Sequence, residues 1–340
     1  MTLTTALAIL GALVLLGLVA QAWWNTRKAR PRQTLHSQPD SDRVEPAMDA
    51  VDTQPDEPPP LRSHLKPSPR LDALIDALVP LALEAPVSGE HALMHLPPSR
   101  RAGTKPFYIE GLDTETGTWE TLAPGRRYGE LQAGVQLANR SGALNEIEYS
   151  EFLQKIEAFA EAISARADAP DMLEVVARAR ELDALAGPLD AQLSITLRTN
   201  SVAWSVGFVQ QVAMRQGLVA GSMKGRWVLP AAEEGAPPML TLSVDAQAAM
   251  AEDPQSAVVR ECQLALDVPQ TPASVEPFPA WHLMSKQLAD ELDATAVDDH
   301  GEPITLHAFD AIGKEIDELY SRLEQLDLAA GSPAARRLFS

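Results

Sequence analysis

The chain has 340 residues, a formal net charge of −19 at pH 7 and a single cysteine. A body this acidic is repelled by the phosphates of nucleic acids and by anionic lipid headgroups, which argues against nucleic-acid binding through the folded surface. One cysteine, Cys262, excludes an internal disulfide, and its apolar neighbours indicate a small buried side chain rather than a nucleophile.

Residues 3–24 form the first predicted element, an uncharged apolar run. As an α-helix the run would extend roughly 33 Å, which is close to the roughly 30 Å of hydrocarbon in a bilayer. Basic side chains follow the run and none precedes it; they are Arg27, Lys28, Arg30 and Arg32. This asymmetry predicts a single-pass anchor over residues 1–26, inserted in the lipid bilayer through residues 3–24, with the folded body on the cytoplasmic side.

A cleaved signal peptide is the alternative for this run, because residues 20–22 form a small-residue cleavage-type sequence. Signal peptides, however, carry their positive charge before a shorter apolar core. Trp23 and Trp24 suit an interfacial anchor. Small residues inside the run leave open a homodimer through paired anchors, namely Ala8, Gly11, Ala12 and Gly17.

Residues 27–70 are predicted to be a basic flank followed by a disordered, proline-rich linker. Residues 33–69 contain eight prolines and almost no large apolar side chains. Such a segment buries too little surface to offset the entropy of ordering it. The linker would hold the body off the membrane, with a reach on the order of 100 Å.

Residues 71–188 are predicted to be an α+β region. Pro80 indicates that its first strand, near 75–84, is interrupted or lies at a sheet edge. The other predicted elements are a helix at 88–96 capped by Ser88, a hairpin at 106–122, a strand near 131–137, and helices at 152–163 and 170–187.

Residues 189–330 alternate more regularly and predict a complete domain. The predicted strands are 190–199, 221–230, 239–245, 258–269 and 295–305, and the predicted helices are 202–218, 278–294 and 309–328. Strands with one polar face predict a mainly antiparallel, open-faced sheet with helices on one side, so the fold class is α+β. Gly331 and Pro333 are expected to end the last helix, which makes residues 331–340 a C-terminal tail.

Residues 287–305 combine a helix end with adjacent small and acidic residues and a strand that carries two aspartates. The residues of this pattern are Ala289, Asp290, Glu291, Val297, Asp298 and Asp299. Together with residues 240–257 upstream, and with the order of anchor, proline-rich spacer and α+β domain, the pattern resembles the ZipA family of bacterial cell-division proteins. The resemblance covers roughly 190–326 and the layout of 1–70.

Residues 134–152 also resemble the middle-strand region of this family, where an LAN triplet is followed by a glycine-containing loop. Residues 71–188 are therefore either a degenerate second copy of the domain or an unrelated extension packed on it.

The resemblance implies a membrane-anchored adaptor without enzymatic activity and without cofactors. Its partner would be the C-terminal tail of FtsZ, the tubulin-like division GTPase, which the adaptor would tether to the bacterial inner membrane with its own N-terminus periplasmic. In the family, the tail lies in a shallow apolar cavity on the exposed face of the sheet. The alternative is an inner-membrane scaffold or regulator that binds another cytoplasmic protein.

The exposed face of the predicted sheet supplies the candidate partner-binding residues. Arg198, Lys224 and Arg226 are cations on an acidic body and would suit an acidic tail. Trp227 is either an exposed anchor on this face or a core residue. The full set is Ser194, Thr196, Arg198, Met223, Lys224, Arg226, Trp227, Leu229, Met239, Thr241 and Ala265.

Patterns for catalysis or metal binding are weak. His91 and His95 have helical i, i+4 spacing, but no third ligand follows at a useful distance along the sequence. The polar residues at 298–302 coincide with a glycine turn, where polar side chains are expected. The sequence contains neither a GxxxxGK[ST] phosphate loop nor a GxSxG nucleophile elbow, so we predict no enzyme, metal site or cofactor.

Overall fold

A computed structural model describes residues 70–251 and 253–340 of the chain. The predicted anchor and all of the predicted linker except Arg70 lie outside the described residues. Within the described ranges, no helix combines the length and the apolar composition needed to cross a bilayer. The fold of these residues is α+β, and its strands pair in antiparallel sheets.

The first half of the fold contains a sheet with strand order β3-β4-β6-β1-β9, with β2 added to β6 and β5 added to β4, and a small two-stranded ladder, β7-β8. Its elements are β1 (Asp76–Leu83), β2 (Val87–Ser88), α1 (Gly89–Met94), β3 (Arg101–Ala102), β4 (Lys105–Asp113), β5 (Trp119–Thr121), β6 (Arg127–Gln136), β7 (Ala138–Asn139), β8 (Gly142–Ala143), α2 (Glu146–Ala162), β9 (Ala165–Ala167) and α3 (Met172–Ala186), followed by a 3₁₀ turn at Gly187–Leu189.

Pro80 neither interrupts β1 nor places it at an edge, so that prediction is wrong. The strand is continuous and lies between β6 and β9. The carbonyl of Pro80 accepts a hydrogen bond from the Asp168 amide at 3.0 Å, on the β9 side. In a strand, the N–H and C=O of one residue point to the same side. The missing N–H of Pro80 therefore faces β9, whose ladder begins only at Leu81, and the β6 ladder loses no bond.

The second half contains a sheet with strand order β12-β13-β14-β16-β10-β17 and a small two-stranded ladder, β11-β15. Its elements are β10 (Gln192–Thr199), β11 (Trp204–Ser205), α4 (Val206–Arg215), β12 (Val219–Ala220), β13 (Arg226–Leu229), β14 (Leu240–Val244), α5 (Ala246–Ala249), β15 (Val258–Val259), β16 (Glu261–Asp267), a 3₁₀ turn at Ala273–Val275, α6 (Pro277–Leu292), β17 (Ala294–Val297), α7 (Leu306–Gln325) and α8 (Pro333–Leu338).

The two sheets share the order of five strands and the register of the ladders between them. The path β3-β4-β6-β1-β9 corresponds to β13-β14-β16-β10-β17, element by element along the chain. The ladder between β1 and β6 begins at Asp76 and Gln136, and the ladder between β10 and β16 begins at Gln192 and Asp267. Asp76 and Gln136 in the first half thus correspond to Gln192 and Asp267 in the second.

Local geometry is shared as well. Ser88 (φ −75°, ψ 148°) and Ser205 (φ −73°, ψ 149°) cap the first helix of each half, each accepting a hydrogen bond from the backbone amide three residues later. Ser164 (φ 56°) and Asp293 (φ 50°) each adopt a left-handed conformation between a long helix and the strand that follows it. The left-handed residue ends the helix and allows the strand to begin at the next position.

Each sheet packs one face against helices. In the first half, Val79 and Leu81 alternate inward toward a core that includes Phe152 of α2. In the second half, Leu197 and Leu264 contribute to a core that contains Trp281 of α6, whose Nε1 donates to the carbonyl of Leu264 at 3.2 Å. We call the opposite side of each sheet its outer face.

Residues 331–340 do not form a tail, so that prediction is wrong. Ser332 caps α8 by accepting a hydrogen bond from the Ala335 amide at 3.1 Å, and Pro333 occupies the first turn, where a missing N–H costs nothing. Leu338 and Phe339 are buried in the second core. Pro333 therefore starts a helix.

Candidate functional site

The outer face of the second sheet carries polar and small side chains in register. Leu197 on β10 and Leu264 on β16 point to the helices. Because side chains alternate along a strand, the neighbouring residue on each strand points away from the helices. Thr196, Ala265 and Thr241 accordingly lie on the outer face and are half-buried. This side of the sheet forms the floor of a groove.

The groove contains a cavity of about 310 Å³. Its floor is Thr241, Ala265 and Asp267, and Pro237 and Pro238 of the β13–β14 loop form a wall. The complete lining is Arg140, Gln192, Arg226, Pro237, Pro238, Met239, Thr241, Ala265, Leu266, Asp267 and Gln270. Four of the predicted partner-binding residues are thus brought together: Arg226, Met239, Thr241 and Ala265.

Arg140 reaches this cavity from the first half and is fixed by two carboxylates. Its Nη1 donates to Asp267 Oδ2 at 2.7 Å, and its Nε donates to Asp190 Oδ2 at 2.9 Å. Burial opposes the charge of Arg140, but these hydrogen bonds raise its pKa above the ordinary value. Because two carboxylates flank this one cation, the cluster is net negative, so Arg140 shapes the groove and does not attract an anionic ligand.

Arg226 lies at the opposite wall and is exposed. Its guanidinium forms no hydrogen bond or ion pair with another described residue. A cation without a partner at the edge of a half-buried cavity favours an anionic ligand group. Arg226 is therefore the side chain in this lining best suited to contact a carboxylate.

A second cavity of about 350 Å³ continues the groove and shares Pro237, Met239 and Gln270 with the first. Most of its other lining side chains are apolar: Leu229, Pro230, Ala231, Ala232, Pro272 and Val275. Thr271, Glu233 and Arg336 complete the lining, and Glu233 and Arg336 form an ion pair of 2.8 Å. The groove therefore has a polar end near Arg226 and an apolar end near Val275.

Trp227 and Leu229 do not lie on the outer face, which corrects their predicted placement. Trp227 pairs with Leu242 in the β13–β14 ladder, is 3 % exposed and belongs to the second core. Leu229 pairs with Leu240 and packs against the same core, and it meets only the apolar end of the groove. Side chains alternate along a strand, so these two residues face opposite to Arg226.

The other predicted residues lie near the cavity without lining it. Ser194, Thr196 and Arg198 lie on the outer face of β10, and Arg198 forms an ion pair of 3.7 Å with Glu261. Met223 and Lys224 lie in the turn before β13, beside a separate cavity of about 310 Å³ that Arg226 also lines.

Sequence reasoning missed the other seven lining residues, which are Arg140, Gln192, Pro237, Pro238, Leu266, Asp267 and Gln270. Arg140 belongs to the turn between β7 and β8, 52 residues before Gln192 and 86 residues before Arg226. No local pattern marks such a residue, because its role depends on how the two halves pack.

The polar turn at 298–302 and Cys262, which the sequence analysis did not assign to catalysis, have structural roles in the fold. Asp298 Oδ1 accepts hydrogen bonds from the amides of His300 and Glu302, both at 2.9 Å, and the bond from Glu302 is the main cause of the lowered pKa of Asp298.

Burial raises the pKa of Cys262 to about 12, so its thiol stays protonated at neutral pH. Across residues 70–251 and 253–340, no group of three His, Cys, Asp or Glu side chains is arranged to hold a metal ion.

Comparison with known proteins leaves the family open: no protein-family model matches the chain, and no curated protein sequence matches it.

Proposed function

We propose that this protein is a membrane-anchored adaptor of ZipA type, which binds the C-terminal tail of FtsZ in the groove and tethers the division ring to the bacterial inner membrane. The anchor would be residues 3–24 and the spacer would be the proline-rich segment that follows. The observation that carries the proposal is the groove on the outer face of the second sheet, which four of the eleven candidate residues line.

The chemistry of the groove supports a short peptide as the ligand. An extended tail can place apolar side chains at the end lined by Leu229 and Val275 and an acidic side chain near Arg226. A tail that orders on binding loses conformational entropy, so a single contact of this kind is modest. Many tethers on one membrane would raise the apparent affinity for a polymer without any new contact.

We also propose that the two halves are copies of one open-faced α+β fold, the first copy degenerate in sequence. Equal strand order, equal register and matching helix caps at Ser88 and Ser205 support this. The left-handed residues Ser164 and Asp293, each directly before the strand that follows a long helix, are a further matching feature.

The test is binding of a fluorescent peptide copy of the FtsZ tail to the full-length chain in detergent, followed by fluorescence anisotropy. We expect saturable binding that weakens with added salt and is lost when the peptide sequence is scrambled. In cells, a fluorescent fusion of the chain should form a mid-cell band. Absence of saturable binding, or capture of FtsZ that survives removal of its tail, would contradict the proposal.

A further inference from the structure

The outer face of the first sheet corresponds to the groove face, but it is covered. Its side chains include Asp76 on β1, Glu110 on β4 and Gln136 on β6, which are all at most 1 % exposed. Polar side chains on the outer face of a sheet are normally in water, and burying them is unfavourable unless they find partners. The partners come from the two ends of the described chain.

One partner is the backbone of Arg70 and Leu71. Both amides donate to Glu110 Oε1, the Leu71 bond measuring 3.1 Å. The side chain of Leu71 lies over Gly134, where an added Cβ would be 2.5 Å from Leu71 Cδ2. The corresponding residue of the second sheet is Ala265, which has that Cβ. The first sheet is thus adapted to the close approach of an extended segment.

The other partner is Arg337 of α8. Its Nη1 donates to Asp76 Oδ2 at 2.9 Å and also to the carbonyl of Arg70. Its guanidinium lies 5.0 Å from the ring centroid of Tyr108, and its own carbonyl accepts a bond of 2.7 Å from Gln136 Nε2. Arg337 therefore contacts the face and the segment that covers it at the same time.

We infer that the outer face of the first sheet is a second peptide-binding face, and that the chain fills it with its own Arg70–Leu71 segment, which Arg337 holds in place. The bound segment is recognised through its backbone amides by Glu110, through its carbonyl by Arg337, and through a leucine side chain above Gly134. A partner peptide reaches this face only after the segment leaves. The inference rests on the proposed function in one respect: it treats the corresponding face of the second sheet as a peptide-binding groove.

The face carries the polar side chains of Asp76, Glu110 and Gln136, and polar side chains tolerate exposure to water. Release of the segment would return Glu110 to solvent, where a carboxylate is well hydrated, while Arg337 would still hold Asp76 and Gln136. The segment can therefore leave without opening the hydrophobic core beneath the sheet, which lies on the other side of β1 and β6. A structural strand, by contrast, could not leave without exposing the core.

Limited proteolysis with trypsin tests the inference, because trypsin cleaves after arginine and the Arg70–Leu71 bond lies at the centre of these contacts. The full-length chain is digested, and mass spectrometry follows the appearance of a new N-terminus at Leu71. We expect the wild-type chain to resist cleavage at this bond, and Arg337→Gln to be cleaved there at least tenfold faster. Arg336→Gln is the matched control, because it removes the neighbouring guanidinium, which pairs with the exposed Glu233, and should leave the protection unchanged.

A second variant acts without changing any charge. Gly134→Ala places a methyl group where Leu71 lies, and it should also speed cleavage at Arg70–Leu71. If Arg337→Gln is cleaved throughout the body because it does not fold, the decision falls on Gly134→Ala and on hydrogen exchange of the wild-type Leu71 amide, which should be slow.

Three results would overturn the inference. They are rapid cleavage of the wild-type bond, rapid exchange of the Leu71 amide, or wild-type protection in both variants. No partner peptide is present in these experiments, so their failure is distinct from failure of the proposed FtsZ binding.

Discussion

The two halves of this protein build the same sheet and use its outer face differently. In the second half, Gln192, Ala265 and Asp267 border an open cavity, and Arg140 from the first half fills only one end of it. In the first half, the corresponding Asp76, Gly134 and Gln136 lie under the chain's own segments. The comparison teaches that strand order and register fix where a face is, whereas short segments outside the sheet decide whether it is available.

The largest effect should come from the core of the first half. Phe152 is fully buried and packs edge-on against Phe107, with ring centroids 5.3 Å apart. Phe152→Ala should lower the free energy of unfolding by about 3–5 kcal/mol in a denaturant titration, because it leaves a cavity. Ile147→Ala on the same helix is the control; that side chain is 81 % exposed, and the change should stay within about 0.5 kcal/mol.

Thiol labelling extends this prediction to the second half. Cys262 is buried in the second core, which also contains Ile75 and Ala138 from the first half. We expect Phe152→Ala to speed the labelling of Cys262 by at least tenfold, since the halves share packing. An unchanged labelling rate would mean that the halves unfold independently.

The two arginines that cross between the halves should differ in cost. Arg337→Ala leaves the side chain of Asp76, which is 0 % exposed, without its counter-ion, and should cost about 3–5 kcal/mol. Arg140→Ala should cost less, about 1–3 kcal/mol, because the side chains of Asp190 and Asp267 are each 27 % exposed and water can replace the guanidinium. Thermal and denaturant unfolding of both variants measures the difference, and equal costs would contradict the contrast between a covered and an open face.

Arg226→Glu should act on binding and leave folding unchanged. Reversal of this exposed charge at the groove should weaken an acidic tail peptide about tenfold, which is about 1.4 kcal/mol, with an unchanged midpoint of unfolding. Arg198→Glu on the same outer face is the control and should stay within about twofold, because Arg198 does not line the cavity. Equal losses in both variants would point to general electrostatic attraction instead of a site.

The smallest predicted effect is the loss of one helix cap, which we expect to have the same cost in each half. Ser88→Ala and Ser205→Ala each remove a helix cap with the same backbone geometry, and each should cost about 1 kcal/mol. Denaturant titration compares the two. Clearly unequal losses in the free energy of unfolding would weaken the view that the halves are equivalent.

Much of the fold could be predicted from local pattern. The strict alternation at 190–199 predicts β10, and Ser88 predicts the start of α1, because both signals depend on neighbouring residues only. The two-residue strands β2 and β11 are too short to show a period. Pro333 has two meanings, as the end of one helix or the first turn of the next, and only the cap at Ser332 separates them.

The site was predictable in part. Arg226 and Trp227 are adjacent on one strand and were assigned to one face, which the alternation of side chains forbids. The alternation of side chains places these two residues on opposite faces of the sheet. The buried Leu242, which pairs with Trp227, shows that Trp227 faces the core. Arg140 had no signal in the sequence, because it enters the groove from the other half.

The bonds around Ser340 bear on how this protein can be imaged. Its carbonyl accepts a hydrogen bond from the backbone amide of Arg140 at 3.3 Å, its hydroxyl donates to the carbonyl of Arg337 at 2.8 Å, and the preceding Phe339 is 1 % exposed. A fluorescent protein joined directly to Ser340 would be held close against α8 and would crowd these contacts. A long glycine-serine spacer after Ser340 would keep the label from altering the behaviour that it is meant to report.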